Sequence, residues 1–142
     1  MTIARILDSK GHNVATIDTA TPIYRAICQL AELQIGALVV LNGGRIAGIF
    51  SERDLVRALA EQKEGLFESS VDSVMTTEIV TVTSLTTAAE AMELMTNKRI
   101  RHLPVVDSGI ISGIVSIGDL VKRRLEVTKL EAEALKDYIA SA

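Results

Sequence analysis

The sequence predicts a mixed α/β (α+β) fold made of two copies of one β-α-β-β-α unit, followed by an extended C-terminal helix. Three observations predict it. A shift of 65 residues lays positions 14–59 on 79–124 without a gap, with identities such as Thr16/Thr81, Ala26/Ala91, Gly48/Gly113, Ser51/Ser116 and Asp54/Asp119. Each copy carries a hairpin signal, "ALVVL-NGG-RIAGIF" and "LPVV-DSG-IISGIV", in which apolar runs flank a glycine turn. Each copy also places a capped amphipathic helix on either side of that hairpin. A unit of this length buries too little surface to fold well alone, so two copies are expected to pack together.

The elements follow in order. The short apolar strands are "VATI" and "IVTV". In the first copy Thr21 suits the N-cap and Pro22 the first helical position, and Ile23, Ala26, Ile27, Leu30 and Leu33 share one helix face. In the second, Thr87 and Glu90 have capping-box spacing, and Ala88, Ala91, Met92 and Met95 share a face. Each hairpin leads into a helix that opens at Ser51 or Ser116. Pro104 lies on a strand and has no N–H, so that strand should start there or run along an edge. The expected organisation is a first unit over 1–64, a linker with a lead-in turn over 65–78, a second unit over 79–125, and a helix extension over 126–142. The linker segment "SVDSVM" resembles "TIARIL" near residue 2, and the lead-in after it is three residues shorter in the second copy. Val121, Leu125, Thr128, Ala132, Leu135 and Ile139 form a heptad-like stripe on the last helix. That stripe is expected to pair with a second subunit, because the helix outlasts the repeat that would cover it.

Composition narrows the function. The 142 residues carry a formal net charge of −3 and only 3% aromatics, without the basic excess and stacking rings of a nucleic-acid binder. The apolar runs are too short to span a bilayer, and charges interrupt "MTIARILDSKG" where a signal peptide needs an apolar core. The single cysteine, Cys28, excludes an internal disulfide, suits a cytoplasmic setting and is expected to be core or half-buried. Neither cysteine nor histidine shows zinc-ligand spacing. His12 reads as a loop residue. No nucleophile, base and orienting group converge, so the chain is read as a non-enzyme with no catalytic cofactor and no metal.

The segments "GIFSERD" (48–54) and "GIVSIGD" (113–119) end the hairpins. Ser with Asp three residues later is close to a capping box and needs no ligand to explain it. Three features favour a site as well. A glycine three residues before each serine admits close approach to the strand. A serine hydroxyl and free N–H groups at a helix N-terminus suit phosphate. A carboxylate one turn later accepts from both hydroxyls of a ribose.

These motifs, with "SVM" and "RHLPVVD" in the same order, resemble the tandem cystathionine-β-synthase (CBS) domain pair, or Bateman module, in its stand-alone form. The resemblance implies two units packed about a pseudo-twofold axis. It also implies clefts between them that bind AMP, ADP, ATP, NAD(H) or S-adenosylmethionine. Asp54 and Asp119 would hold ribose and Ser51 and Ser116 phosphate, with Thr16, Ile17, Thr81 and Val82 at the adenine end. Arg101 and His102, and Pro104 beside them, join the ligand-binding set of the second copy, and Arg53 is the first copy's compensating cation. The extra cations of the second copy make it the stronger phosphate site. The expected function is a nucleotide sensor that relays a conformational change, dimerises and acts on a regulated protein partner. The alternative is an interaction adaptor with unoccupied clefts that dimerises through its last helix.

Overall fold

In chain order the elements are α1 (Ile3–Lys10), β1 (Thr16–Asp18), α2 (Ile23–Leu33), β2 (Ala37–Asn42), β3 (Arg45–Ser51), α3 (Glu52–Ala60), α4 (Ala88–Lys98), β4 (His102–Asp107), β5 (Ile110–Ser116) and α5 (Ile117–Ser141). They come from a computed structural model that describes residues 1–61 and 63–141. Short 3-10 turns at Leu66–Glu68 and Val71–Ser73 lie between the copies. Both hairpins form as expected. β2 and β3 pair antiparallel around Gly43 and Gly44, at φ 58° and 81°, a conformation that glycine adopts without steric cost. β4 and β5 turn at Ser108 and Gly109, also at positive φ.

The contacts divide the chain into two units, one of residues 14–80 and one of residues 1–13 with 81–142. This corrects the expected boundaries at 64/65 and 78/79. The segment preceding each repeat packs on the other repeat. Residues 1–4 bond to residues 84–88: the N–H groups of Ile3 and Ala4 donate to the carbonyls of Thr86 and Ser84. Residues 69–76 bond to the first copy in the same manner: Ile23 N–H donates to Ser69, and Val71 N–H to Thr21. The matched bridges are Thr2 with Thr87 and Pro22 with Ser70. So the likeness of "TIARIL" to "SVDSVM" marks two segments doing one job for opposite partners.

The 14–80 unit is cored by Ile17, Ile23, Ala26, Leu30, Leu38, Val40 and Phe50, closed by Ala58, Leu66, Val71 and Val74. Its sheet runs β1-β2-β3, with β1 parallel to β2. In the other unit the first strand shrinks to a single parallel bridge, Val82 with Val105. Pro104 supplies the reason. Its counterpart, Val39, donates its N–H to the Ala15 carbonyl at 3.1 Å, a bond that proline cannot make. Pro104 stands inside β4 rather than at its start, facing the segment that its missing N–H leaves weakly paired.

One helix start differs from expectation by a residue. Pro22, not Thr21, is the N-cap of α2, and it makes no side-chain cap. Cys28 is exposed on α2 instead of half-buried. α4 begins with the full Thr87–Glu90 capping box. α5 runs without a break through residue 125, so the expected extension is the continuation of the second copy's last helix. It spans about 37 Å. Past Val127 its described side chains are exposed, including Leu130, Leu135, Tyr138 and Ile139. Residue 142 lies outside the described residues.

Candidate functional site

The two motifs build the same local frame. A hairpin's last strand ends at a serine that caps the following helix, and the aspartate in the helix's first turn returns the bond. In the first copy Ser51 Oγ accepts from Asp54 N–H, and Asp54 Oδ2 accepts from Ser51 N–H at 2.9 Å. In the second, Ser116 Oγ accepts from Asp119 N–H at 3.2 Å, and Asp119 Oδ2 accepts from Ser116 N–H at 2.8 Å.

Beyond that frame the two diverge. Asp54 is 2% exposed. Its Oδ2 also accepts from the Ser51 hydroxyl at 3.1 Å. Its Oδ1 accepts from Arg57 Nη2 at 2.6 Å and from the Thr76 hydroxyl at 2.8 Å. Two oxygens with about four lone-pair positions therefore hold four donors, all from the protein. In this arrangement the carboxylate fastens α3 to the segment at Thr76. Gly48 has the same meaning: a Cβ there would lie 2.7 Å from both Met75 Sδ and the Thr76 carbonyl oxygen. The close approach that the glycine admits is the chain's own. Thr76 N–H also donates to the Ile49 carbonyl at 2.8 Å.

The Asp119 side chain is 23% exposed. Lys10, the last residue of α1, reaches it from a position 109 residues away, with Nζ 2.6 Å from Oδ2 and 2.7 Å from the Ile114 carbonyl oxygen. The bonds from Lys10 Nζ and Ser116 N–H both fall on Oδ2, and the Ser116 hydroxyl lies against the same carboxylate. Burial raises the Asp119 carboxyl, but the Lys10 hydrogen bond, the Ser116 N–H and the Lys10 charge together outweigh it. They hold its pKa below the ordinary carboxylate value. Gly113 receives Leu7, whose Cδ2 would lie 2.7 Å from an added Cβ.

The remaining expected residues sort by unit. Thr81, Val82, Arg101, His102 and Pro104 share the unit of Ser116 and Asp119, whereas Thr16, Ile17 and Arg53 share that of Ser51 and Asp54. His102 lies opposite Ser116 in the hairpin register, and the Arg101 carbonyl accepts from Ile117 N–H at 2.8 Å. The structure thus brings Arg101 and His102 to the start of α5. Arg101 and Arg53 are exposed. Ile17 and Val82 are buried core residues. Val82 also donates its N–H to the Pro104 carbonyl and accepts at its own carbonyl from Val106 N–H. Thr16 and Thr81 are exposed beside them.

Lys10, Arg57 and Thr76 were not picked out from the sequence. Only Lys10 carried a signal: it falls in the first lead-in, which is three residues longer than the second. Among the described residues no group of three or more His, Cys, Asp or Glu is placed to hold a metal ion. Likewise no described helix is long and apolar enough to cross a membrane.

The CBS domain family pattern matches residues 8–61 and 71–126. A mitochondrial CBS domain-containing protein of Arabidopsis thaliana is 38% identical over 151 residues, covering 97% of this chain and 71% of its own length. The crystal structure of a CBS-domain protein from Agrobacterium tumefaciens superposes with a TM-score of 0.85 at 41% identity, covering 87% of this chain and 99% of that one. A CBS domain protein of Pyrobaculum aerophilum, solved complexed with AMP, shares the fold at a TM-score of 0.78 and 24% identity, over 93% of this chain and 99% of its own.

Proposed function

Because the chain belongs to the CBS domain family, with two copies of the domain, we propose that it is a regulatory module that binds an adenine nucleotide at the Ser116–Asp119 motif. One observation carries the reading: of the two matched motifs, only the second keeps a partly exposed carboxylate, whereas Asp54 is buried. Asp119 takes the ribose hydroxyls. Ser116 and the first N–H groups of α5 take phosphate, favoured by the helix dipole. Arg101, beside Ser116, adds positive charge, and His102 a ring nitrogen that can bond to phosphate. Thr81 and the edge of β4 at Pro104 frame the base. AMP, which the Pyrobaculum aerophilum relative holds, is the leading ligand, with ADP, ATP and NAD(H) sharing the same ribose and phosphate chemistry. Binding regulates only if the ligand prefers one arrangement of the chain, which a regulated partner then reads.

The same reading includes self-association through α5. Its apolar stripe, with Leu125, Leu135 and Ile139 exposed, gains a partner in a second copy. Light scattering on the full chain and on Leu125→Glu/Leu135→Glu tests this: a dimer is expected, with monomer in the variant.

The nucleotide test is thermal unfolding of ligand-stripped protein with AMP, ADP, ATP, NAD⁺, NADH or S-adenosylmethionine. A ligand at about 100 times its dissociation constant adds about 2.7 kcal/mol and raises the midpoint by several degrees. A shift with one compound, abolished by Asp119→Ala, is the expected result. No shift with any of them overturns the reading and leaves the adaptor.

A further inference from the structure

We infer that Lys10 sets the charge of the ligand, selecting a phosphorylated adenine nucleoside over a neutral or cationic one. This rests on reading Ser116–Asp119 as the nucleotide site. The comparison of the two motifs carries it. In the first copy, two acceptors at the end of the hairpin, the Ile49 carbonyl and the Asp54 carboxylate, are both served by Thr76, one through its backbone N–H and one through its hydroxyl. In the second copy the matching acceptors, the Ile114 carbonyl and the Asp119 carboxylate, are both served by the Lys10 ammonium. Neutral groups, one of them fixed in the backbone, are thus replaced by a cation on a flexible stem.

The replacement changes what a ligand meets. The Thr76 N–H cannot leave the Ile49 carbonyl without moving the main chain. Lys10 has four rotatable side-chain bonds, is 32% exposed, and can swing its ammonium away while α1 stays in place. Ribose hydroxyls donating to Asp119 compete with that ammonium. Once displaced, it needs a new acceptor. A phosphate seated on Ser116 and the start of α5 offers one, and the charge-assisted bond replaces the one given up. A neutral nucleoside offers none, so its binding carries the cost of breaking the Lys10–Asp119 pair. A sulfonium ligand adds repulsion. Arg101 supplies a background of positive charge at the same end of the helix, so loss of Lys10 lowers the preference for an anion without reversing it.

The experiment is calorimetric titration of AMP and of adenosine into the full chain, in wild type, Lys10→Met, Lys10→Gln, Lys10→Arg and Asp119→Ala. Ligand-free thermal midpoints confirm folding, and Lys10→Gln provides a second charge-removing variant if Lys10→Met unfolds. The expected result moves the two ligands apart. Lys10→Met and Lys10→Gln weaken AMP about tenfold or more, leave adenosine unchanged or tighter, and Lys10→Arg restores the preference for AMP. Equal weakening of both ligands makes Lys10 a structural tie and overturns the inference, as does no change in either, while the nucleotide site stands. Failure of wild type to bind either ligand, or AMP binding indifferent to Asp119→Ala, removes the nucleotide site itself and the inference with it.

Discussion

"GIFSERD" and "GIVSIGD" share a glycine, a serine and an aspartate at identical spacing, and both make reciprocal serine–aspartate bonds at a helix start. Around Asp54 the chain supplies every donor, two from Ser51, one from Arg57 and one from Thr76, and the carboxylate is buried. Around Asp119 a single lysine does the work of Thr76, and the carboxylate stays partly exposed. The lesson is that one sequence motif serves as a structural clasp or as a ligand seat according to what the preceding segment brings to it.

Replacing both aspartates breaks the comparison most directly. Asp54→Ala strands Ser51 N–H and the Thr76 hydroxyl and removes the Arg57 pair. It should cost about 2–3 kcal/mol of stability while leaving AMP affinity within about twofold. Urea unfolding and titration calorimetry measure the two effects. Asp119→Ala should invert the pattern, with AMP affinity falling by about 1.5–3 kcal/mol and a smaller loss of stability. If both variants lose stability and affinity alike, the two motifs are equivalent and the distinction fails.

The glycines sharpen it. An added methyl at Gly48 meets the Thr76 carbonyl, main chain that cannot step aside, whereas one at Gly113 meets only the flexible end of Leu7. Gly48→Ala should therefore cost about 1–3 kcal/mol, and Gly113→Ala clearly less, read as the difference between their thermal midpoints. Equal midpoints would mean that the 75–76 segment yields as easily as a leucine side chain.

Acid gives the smallest effect. The Asp119 carboxyl is held below its ordinary value in the folded chain. The group therefore adds stability above the unfolded pKa of about 3.9, and that stability is lost as the pH falls through the lower folded value. Asp119→Asn should be less stable than wild type at neutral pH, and the gap should narrow as the pH falls below about 3.9. Denaturant midpoints from pH 3 to 7 show it, and a gap that persists in acid would detach it from this carboxyl.

Much of the molecule was legible in the residues. Gly43–Gly44 and Ser108–Gly109 announced both hairpins, and Thr87–Glu90 announced a helix start, because each signal acts within a few positions. Pro104 was legible as a disturbance, although its effect fell on the neighbouring segment: the missing N–H reduces the second copy's first strand to one bridge. The exposure of Cys28 was misread, since the apolar face of α2 centres on Ile23, Ala26 and Leu30 and leaves it aside.

By itself the sequence determined the repeat, the order of the elements and the serine–aspartate frames, all of which are matters of local spacing and of apolar periodicity. Only the tertiary structure decided that residues 1–13 complete the second repeat and 65–80 the first, that Asp54 is closed, and that Lys10 reaches Asp119. The physical reason is that these outcomes depend on pairs such as Asp54 with Thr76 and Lys10 with Asp119, 22 and 109 positions apart. No turn residue or helical period encodes such a contact; it exists only once the cores have formed and brought the segments together.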